Sequence, residues 1–350
     1  MAALLPALTE ETISRMLRSL ARLTCLVLFV LGAAYAQDAA AQQPIIDMHL
    51  HAQQVRPGAL ECVGGTFLGV DPMADTAIQP GGHERLHSCP DTLRAPASDE
   101  ENLRTTLAIL ERYNIRAVTS GPPSMVLTWK AAAPDRIIPA IECCVPMFVT
   151  PDSMRQLFSS GTIAVMGEVV NQYFGATPSD SVLAPYFAMA EELDVPVGIH
   201  VGLGPVGVAY TAGNRSYRAA LGRPLLLEET LLRHPKMRLY VMHAGWPLLD
   251  EMIALLYAHP QVYVDVGVIN WILPRKEFHH YLRRLVEAGF GKRVMFGSDN
   301  VIWPDAIPIA IDAIESADFL TGPQKRDIFY NNAARFLRLS DEEIARHHGR

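Results

Sequence analysis

Long runs of a single charge are missing from this chain. Lys and Arg number 30 against 37 Asp and Glu, a formal net charge of -7, and past residue 40 the basic residues are scattered. A chain without a basic stripe has little to offer a phosphate backbone, so nucleic acid is excluded as the expected partner. No apolar run reaches the roughly 20 residues that cross a bilayer comfortably. No glycine-rich fingerprint follows a candidate strand, which argues against a nucleotide-binding open sheet. Internal repeats and low-complexity tracts are absent too. Cysteine is scarce, five in 350 residues.

The shortest of these absences sits at the N-terminus. Arg15, Arg18 and Arg22 precede the apolar run LTCLVLFVLGAA, and AYAQ supplies an Ala34-x-Ala36 cleavage motif. That order describes a cleaved secretory signal over residues 1–36, with a retained anchor as the alternative. Residues 1–15 are longer and more polar than such a leader needs, so Met16 is a second candidate start. The mature chain, 37–350, is then expected to be exported, periplasmic or secreted, with no stable membrane span. Cys25 leaves with the leader. In an oxidising compartment Cys62 and Cys89 would staple the long loop between them, with two free thiols as the alternative. Cys143 and Cys144 adjoin on a strand candidate and read as small buried apolar residues, not a metal pair.

What is present is core. Hydrophobic residues make up 49% of the chain, and they recur as short, near-continuous runs at 44–50, 115–120, 136–142, 163–170, 195–201, 237–243, 261–266 and 293–299. Runs of this kind suit strands buried on both faces. Segments with helical period lie between them. SDEENLRTTLAILERYN opens on a capping Ser98 with Glu101 three residues on, and His-Pro closes two others at 234–235 and 259–260. Eight β-then-α units in one chain predict a (β/α)8 TIM barrel, a single catalytic domain. Two connections are long, 52–98 and 202–223. Each follows a strand, so each is expected over the barrel's C-terminal mouth, where long loops are usually functional.

Polar groups at the C-terminal ends of barrel strands face the active site. The first strand ends His49-Leu50-His51, the fourth carries Glu168, the fifth ends at His200, the sixth at His243 and the eighth at Asp299. Thr119, Glu142 and Asp265 are weaker candidates on the remaining strands. Period two puts His49 and His51 on one side of their strand, with Asp47 expected on the other in a structural role. Imidazole nitrogen with carboxylate oxygen is the ligand chemistry of catalytic divalent metals. Six such groups left unpaired in a core would cost several kcal/mol each, so the set reads as a metal site.

These motifs, DMHLH on the first strand, GE at 167–168, GIH at 198–200, MHAGWP at 242–247, FGSDN at 296–300 and the terminal IFYNNAARFLRL, resemble the amidohydrolase superfamily and its amidohydrolase-2 branch over residues 44–339. The resemblance implies that His49, His51, Glu168, His200, His243 and Asp299 hold one or two divalent ions, zinc foremost. It implies that Asp299 is both ligand and proton acceptor. His243 is then a second-metal ligand in a binuclear site or the general base in a mononuclear one. Glu168 looks like a bridging carboxylate, with a partner that orients a ligand histidine as its other reading. The activity implied is a hydrolase using metal-activated hydroxide on a carboxylic ester, lactone or amide. A metal-dependent non-oxidative decarboxylase is the alternative, and an intact ligand set argues against a barrel kept only for binding. A homodimer fits the resemblance.

Substrate groups are expected on two loops. Arg215, Tyr217 and Arg218, with Tyr210, follow the fifth strand, where an arginine suits a substrate carboxylate. Asn171, Gln172 and Tyr173 follow Glu168. Trp246 and Trp271 are candidates equally for helix packing and for the pocket. His83 and His87 read as surface residues, and His279, His280, His347 and His348 are given no role.

Overall fold

Apolar runs too short for helices become parallel strands when both of their faces can be covered. In the computed structural model, which describes residues 43–69, 87–143, 149–211 and 213–349, β1 (Ile45–His51) is followed by four short strands of the first long loop. These are β2 (Leu60–Val63), β3 (Thr66–Phe67), β4 (His87–Ser88) and β5 (Asp91–Arg94). Then come β6 (Ile115–Ser120), β7 (Ile137–Cys143), β8 (Val165–Val169), β9 (Val197–His200), β10 (Leu239–Met242), β11 (Val262–Asp265) and β12 (Val294–Met295). The leader and its cleavage site, Met16, Cys25, His83 and Cys144 lie outside the described residues, as do the side chains of His87 and Cys143.

The eight long-range strands pair in parallel in the order β1-β6-β7-β8-β9-β10-β11-β12. Closure between the two ends is made just beyond β12. Met48 N donates to Phe296 O at 2.9 Å, and Asp299 N donates to His49 O at 2.6 Å. The expected (β/α)8 barrel is formed, and its strands lie within two residues of the expected bounds except β12, which stops at Met295.

Side chains alternate between two layers. Ile46, Met48, Val118, Ala140, Val165, Tyr240, Met242 and Met295 fill the barrel with Tyr330, Ala333 and Phe336 of the C-terminal segment. Ile45, Leu50, Ala117, Ile141, Met166, Val197, Ile199, Val241 and Val264 pack outward under the helices. Burying each of the larger ones stabilises the fold by about 1.5–3 kcal/mol. The covering helices begin and end where expected. Ser98 caps Asp99–Arg112 by accepting from Glu101 N at 3.1 Å, and helices Glu228–Arg233 and Leu249–Ala258 stop before His234 and His259. Among the described residues no helix is long and apolar enough to cross a membrane.

The first long loop is stapled. Cys62 on β2 and Cys89 form a disulfide with Cα atoms 5.4 Å apart, closing a separation of 27 residues. Loop-closure entropy puts the contribution of a bridge of that span at about 3.5 kcal/mol. β2 pairs with β5 and β3 with β4, both antiparallel.

Candidate metal centre

Plain alternation does not build this site. Ile46 and Met48 point into the barrel, so an unbroken β1 would turn His49 and His51 outward and Asp47 with them. The register against β6 slips by one residue between Asp47 and Leu50, a β-bulge that re-aims the strand. Past it His49 and His51 face inward, while Leu50 joins the outer layer. The side expected for Asp47 is correct, but the bulge, not period two, separates it from the histidines.

β8 uses the same device. It carries one extra residue relative to both neighbours between Met166 and Val169, and Gly167 and Glu168 occupy that stretch. A side chain at 167 would put its Cβ 3.1 Å from the Gly198 carbonyl oxygen, a tight contact with backbone that glycine avoids. At the ends of β10 and β12 the turn inward is made by left-handed backbone, φ 58° at His243 and 49° at Asp299. With Ala244, Val268 and Val301, these account for five of the eight described non-glycine residues with positive φ. Such conformations cost on the order of 1–3 kcal/mol each and persist where their surroundings over-determine them. His200 alone arrives by simple alternation from β9.

The six groups are each at most 7% exposed and meet in one volume. Glu168 divides the histidines into two pairs. Its Oε1 stands 2.5 Å from His200 Nδ1 and 3.5 Å from His243 Nε2. Its Oε2 stands 3.6 Å from His51 Nε2 and 3.7 Å from His49 Nε2. Asp299 Oδ1 lies 3.2 Å from His51 Nε2, and Oδ2 lies 3.8 Å from His243 Nδ1.

Within each pair the ring nitrogens face one another, His49 Nε2 to His51 Nε2 at 3.1 Å and His243 Nε2 to His200 Nδ1 at 3.0 Å. Two nitrogens each about 2.1 Å from one ion stand roughly 3.0–3.4 Å apart, so both pairs have the spacing of neighbouring ligands. His200 Nε2 is buried without a hydrogen-bond partner. The donor set therefore fits a divalent cation.

The electrostatics agree with that chemistry. Burial pushes Asp299 up, but the combined fields of His49, His51 and His243 outweigh it and hold the carboxyl at about 2. Glu168 is drawn well below the carboxylate range against its burial, chiefly by His200. Burial opposes charge on His49 and His51, yet Asp299 raises both, with Asp265 helping at His49. His243 is also raised against burial, by Glu168 and Asp299, whereas burial and the charge of His243 lower His200. Protons and a metal ion thus compete for the same lone pairs.

Behind the histidines stands a set of orienting groups, of which the sequence offered Asp265 and Glu142 as weaker candidates and missed Ser120 and Asn300. Asp265, ranked among the weaker candidates, is fully buried. Its Oδ1 accepts from His243 N at 3.1 Å and Gly267 N at 2.8 Å, and its Oδ2 lies 3.2 Å from His49 Nδ1, oblique to a hydrogen-bond line. It approaches His49 on the nitrogen opposite the one facing His51, so it orients the ring and is not counted as a ligand. Ser120 Oγ lies 3.0 Å from His51 Nδ1, and Asn300 Oδ1 accepts from His51 N at 3.0 Å. Glu142 stands 3.6 Å from His51 Nδ1 and accepts from Gln53 Nε2 at 2.6 Å. Thr119 instead bonds its own strand, donating to Ala117 O. The signal for Asp265 was its strand-end position. Ser120 and Asn300 carried none beyond adjacency to a candidate.

Asp47 has the structural role expected. Its Oδ1 accepts from His49 N and Ser298 N, both at 2.9 Å, and burial raises its carboxyl to about 7. A folded-state value above the ordinary 3.8 means that the fold favours the protonated acid, so its contribution falls as pH rises through that interval. Asp47→Asn keeps the oxygen acceptor without the ionisation. Its stability relative to wild type, read by urea denaturation, is expected to improve from pH 4 to pH 7. Asp47→Ala strands two amides and is expected to cost about 2–3 kcal/mol at pH 4, a gap that narrows toward pH 7 as the wild-type carboxyl loses its contribution. A pH-independent gap between Asn and wild type would refute the account.

Over the cluster opens a cavity of about 500 Å³, and most of its wall is apolar. Trp246, Trp271 and Trp303 all line it. Their indole N–H groups are engaged elsewhere, with Glu277 at 3.1 Å, Ser298 O at 2.8 Å and Ala59 O at 3.0 Å, so the rings show the cavity apolar faces. Among the expected substrate residues Tyr173 lines the cavity. Tyr217 is buried behind it, its hydroxyl accepting from Gly204 N at 2.8 Å. Asn171 is buried and holds its own turn by donating to Ala176 O at 2.8 Å.

The expectation for Arg215 and Arg218 is corrected. Both are exposed and neither lines the cavity. The Arg218 guanidinium is turned back on its own loop, donating to Arg215 O at 2.8 Å and Tyr217 O at 2.7 Å. The arginine that does line the cavity is Arg56, from the loop after β1, which no spacing singled out.

Known proteins share this architecture. Among solved structures, an uncharacterised TIM-barrel protein of Bordetella bronchiseptica aligns at 17% identity and TM-score 0.55, covering 88% of this chain and 100% of that one. A probable 2-pyrone-4,6-dicarboxylic acid hydrolase of Acinetobacter baumannii aligns at 15% and 0.52, over 85% and 100%. The 5-carboxyvanillate decarboxylase of Sphingomonas paucimobilis aligns at 14% and 0.52, over 85% and 99%. At these identities the likeness is one of fold. Protein fluG of Emericella nidulans is 20% identical over 162 residues, 42% of this chain and 18% of that protein. The chain thus spans less than a fifth of that curated relative's length. A family profile described as Amidohydrolase matches residues 46–339, which hold all six site groups and all of the barrel strands but Ile45; the chain belongs to the amidohydrolase family, in its amidohydrolase-2 branch.

Proposed function

We propose that this protein is a metal-dependent hydrolase of a carboxylic ester, lactone or amide bond, with His49, His51, Glu168, His200, His243 and Asp299 holding two zinc ions. One observation carries the reading: the two oxygens of Glu168 face different histidine pairs, the disposition of a carboxylate that bridges two cations. Ions held there would acidify a water and polarise the acyl carbonyl. Asp299, ionised by the field of three histidines, takes the proton of the attacking water and hands it to the leaving group. His243 and Asp265 keep the cluster in register through the Asp265 bonds to His243 N and Gly267 N. The apolar walls exclude water and favour a substrate with an apolar body. Export belongs to the same proposal, supported by the Cys62–Cys89 bridge, since such bonds persist in oxidising compartments.

A second reading rests on the 2.5 Å contact between Glu168 and His200. If Glu168 serves only to orient that ring, the site holds one ion, His243 becomes the base, and a non-oxidative decarboxylase follows. Metal analysis separates the two. Protein purified without chelator is expected to carry near two equivalents, falling to one in Glu168→Ala, and to hydrolyse members of an ester and lactone panel. One equivalent in both proteins would remove Glu168 from the ligands, and aromatic carboxylic acids would then be tried for loss of CO₂.

A further inference from the structure

We infer that the Tyr173 hydroxyl donates a hydrogen bond to the substrate's carbonyl oxygen as that oxygen becomes an oxyanion, an inference that rests on the hydrolase reading above. Tyr173 follows Glu168 by five residues, in the short helical turn Asn171–Phe174. Its ring stands edge-on to His200, centroids 5.3 Å apart, and 5.3 Å from Tyr217. It lines the same cavity as His200, His243 and Asp299. Nearby, the tryptophan N–H groups are engaged within the protein, and the Tyr217 hydroxyl accepts from Gly204 N. The Tyr173 hydroxyl forms no hydrogen bond with any described residue, and it is not sealed off from the cavity.

The turn is built to hold this ring still. Asn171 Nδ2 donates to Ala176 O at 2.8 Å and Gln172 Nε2 to Gly202 O at 3.2 Å, both buried. Gly202 N in turn donates to Gly222 O at 2.8 Å. Opposite the ring, a Cβ on residue 204 would land 2.5 Å from the Tyr173 hydroxyl oxygen, so glycine there leaves the hydroxyl its room. A fixed donor beside the reacting centre is the arrangement that stabilises developing negative charge. In the step proposed, the water oxygen bonds to the carbonyl carbon and the C=O π pair moves onto oxygen. Tyr173 donates a hydrogen bond to that oxygen and keeps its proton. The π bond then re-forms, the C–O or C–N bond to the leaving group breaks, and Asp299 returns the proton to that group.

The test is Tyr173→Phe, which keeps the ring, beside Gly204→Ala, which pushes the hydroxyl away. Each zinc-loaded protein is assayed on p-nitrophenyl acetate and dihydrocoumarin, and titrated calorimetrically with benzylphosphonate, whose oxygens stand in for the oxyanion. Expected for Tyr173→Phe is a kcat lower by roughly 10²-fold at nearly constant KM, and phosphonate binding weakened about tenfold, with metal content and melting temperature unchanged. Gly204→Ala should move in the same direction. Wild-type kcat and phosphonate affinity in Tyr173→Phe, or no phosphonate binding by wild type, would overturn the inference. Hydrolysis of neither ester nor lactone by wild type would fail the hydrolase reading instead, and the phosphonate comparison would still report on the hydroxyl.

Discussion

Asp299→Asn is expected to lower kcat/KM by roughly 10³-fold on whichever ester or lactone the wild type accepts, while most of the bound metal stays. The asparagine carbonyl preserves the oxygen that faces His51 at 3.2 Å, but it cannot accept and return a proton. General acid–base transfer contributes about 10²–10⁴-fold, which sets the size of the loss. The field that holds Asp299 at about 2 adds a second signature. A carboxyl so depressed is ionised across the whole assay range, so an acid limb near neutrality in the wild-type pH profile is not the titration of Asp299. The variant should therefore keep the position of that limb and lose its height. A loss under tenfold would take the proton-carrying role away from Asp299. A loss accompanied by departure of the metal would make it a ligand only.

The barrel was legible because its strands are written twice, as apolar runs and as polar residues at one end of each run. Burial on both faces permits little else for segments such as MRLYVMH or QVYVDV. The residue types of the site were legible for the same reason, since a histidine or carboxylate closing such a run has to be explained. How they turn inward was not. His49, His51 and Glu168 depend on one extra residue in β1 and in β8, and a bulge has no apolar signature: it is set by the register of neighbouring strands. His243 and Asp299 depend on left-handed backbone, which no residue type at those positions announces. The loops were read least well. Arg215 and Arg218 looked like anion anchors from composition alone, yet their loop turns them to solvent, whereas Arg56 reaches the cavity from a segment whose spacing says nothing. Loop residues are placed by turns and by partners distant in sequence, such as the Gln172–Gly202–Gly222 chain behind Tyr173, and a single sequence records neither.

Removing the metal should lower the melting temperature, and by an amount that depends on pH. An ion that binds only the folded chain stabilises it by RT ln(1 + [L]/Kd). At micromolar metal and nanomolar affinity that is about 4 kcal/mol, or roughly 5–10 °C for a chain of this size. A cation needs neutral imidazoles. The carboxylates of the cluster raise His49, His51 and His243 above their ordinary value of 6.5, so each proton the ion must displace costs more than it would on a free imidazole. The sign follows. Affinity is highest well above the raised values and is lost as pH falls through them, by about tenfold per pH unit for each proton released. Because the shifts are upward, the loss is already under way at neutral pH. His200, lowered by its burial and by His243, does not compete and contributes no slope. The gap in melting temperature between zinc-loaded and dipicolinate-treated protein is therefore expected to shrink steadily from pH 8.5 to pH 6. A gap of constant size would mean that the histidines meet the metal already deprotonated, and so that the carboxylates do not hold protons on them. No gap at any pH would mean that the cluster binds no metal, and the hydrolase reading would fall with it.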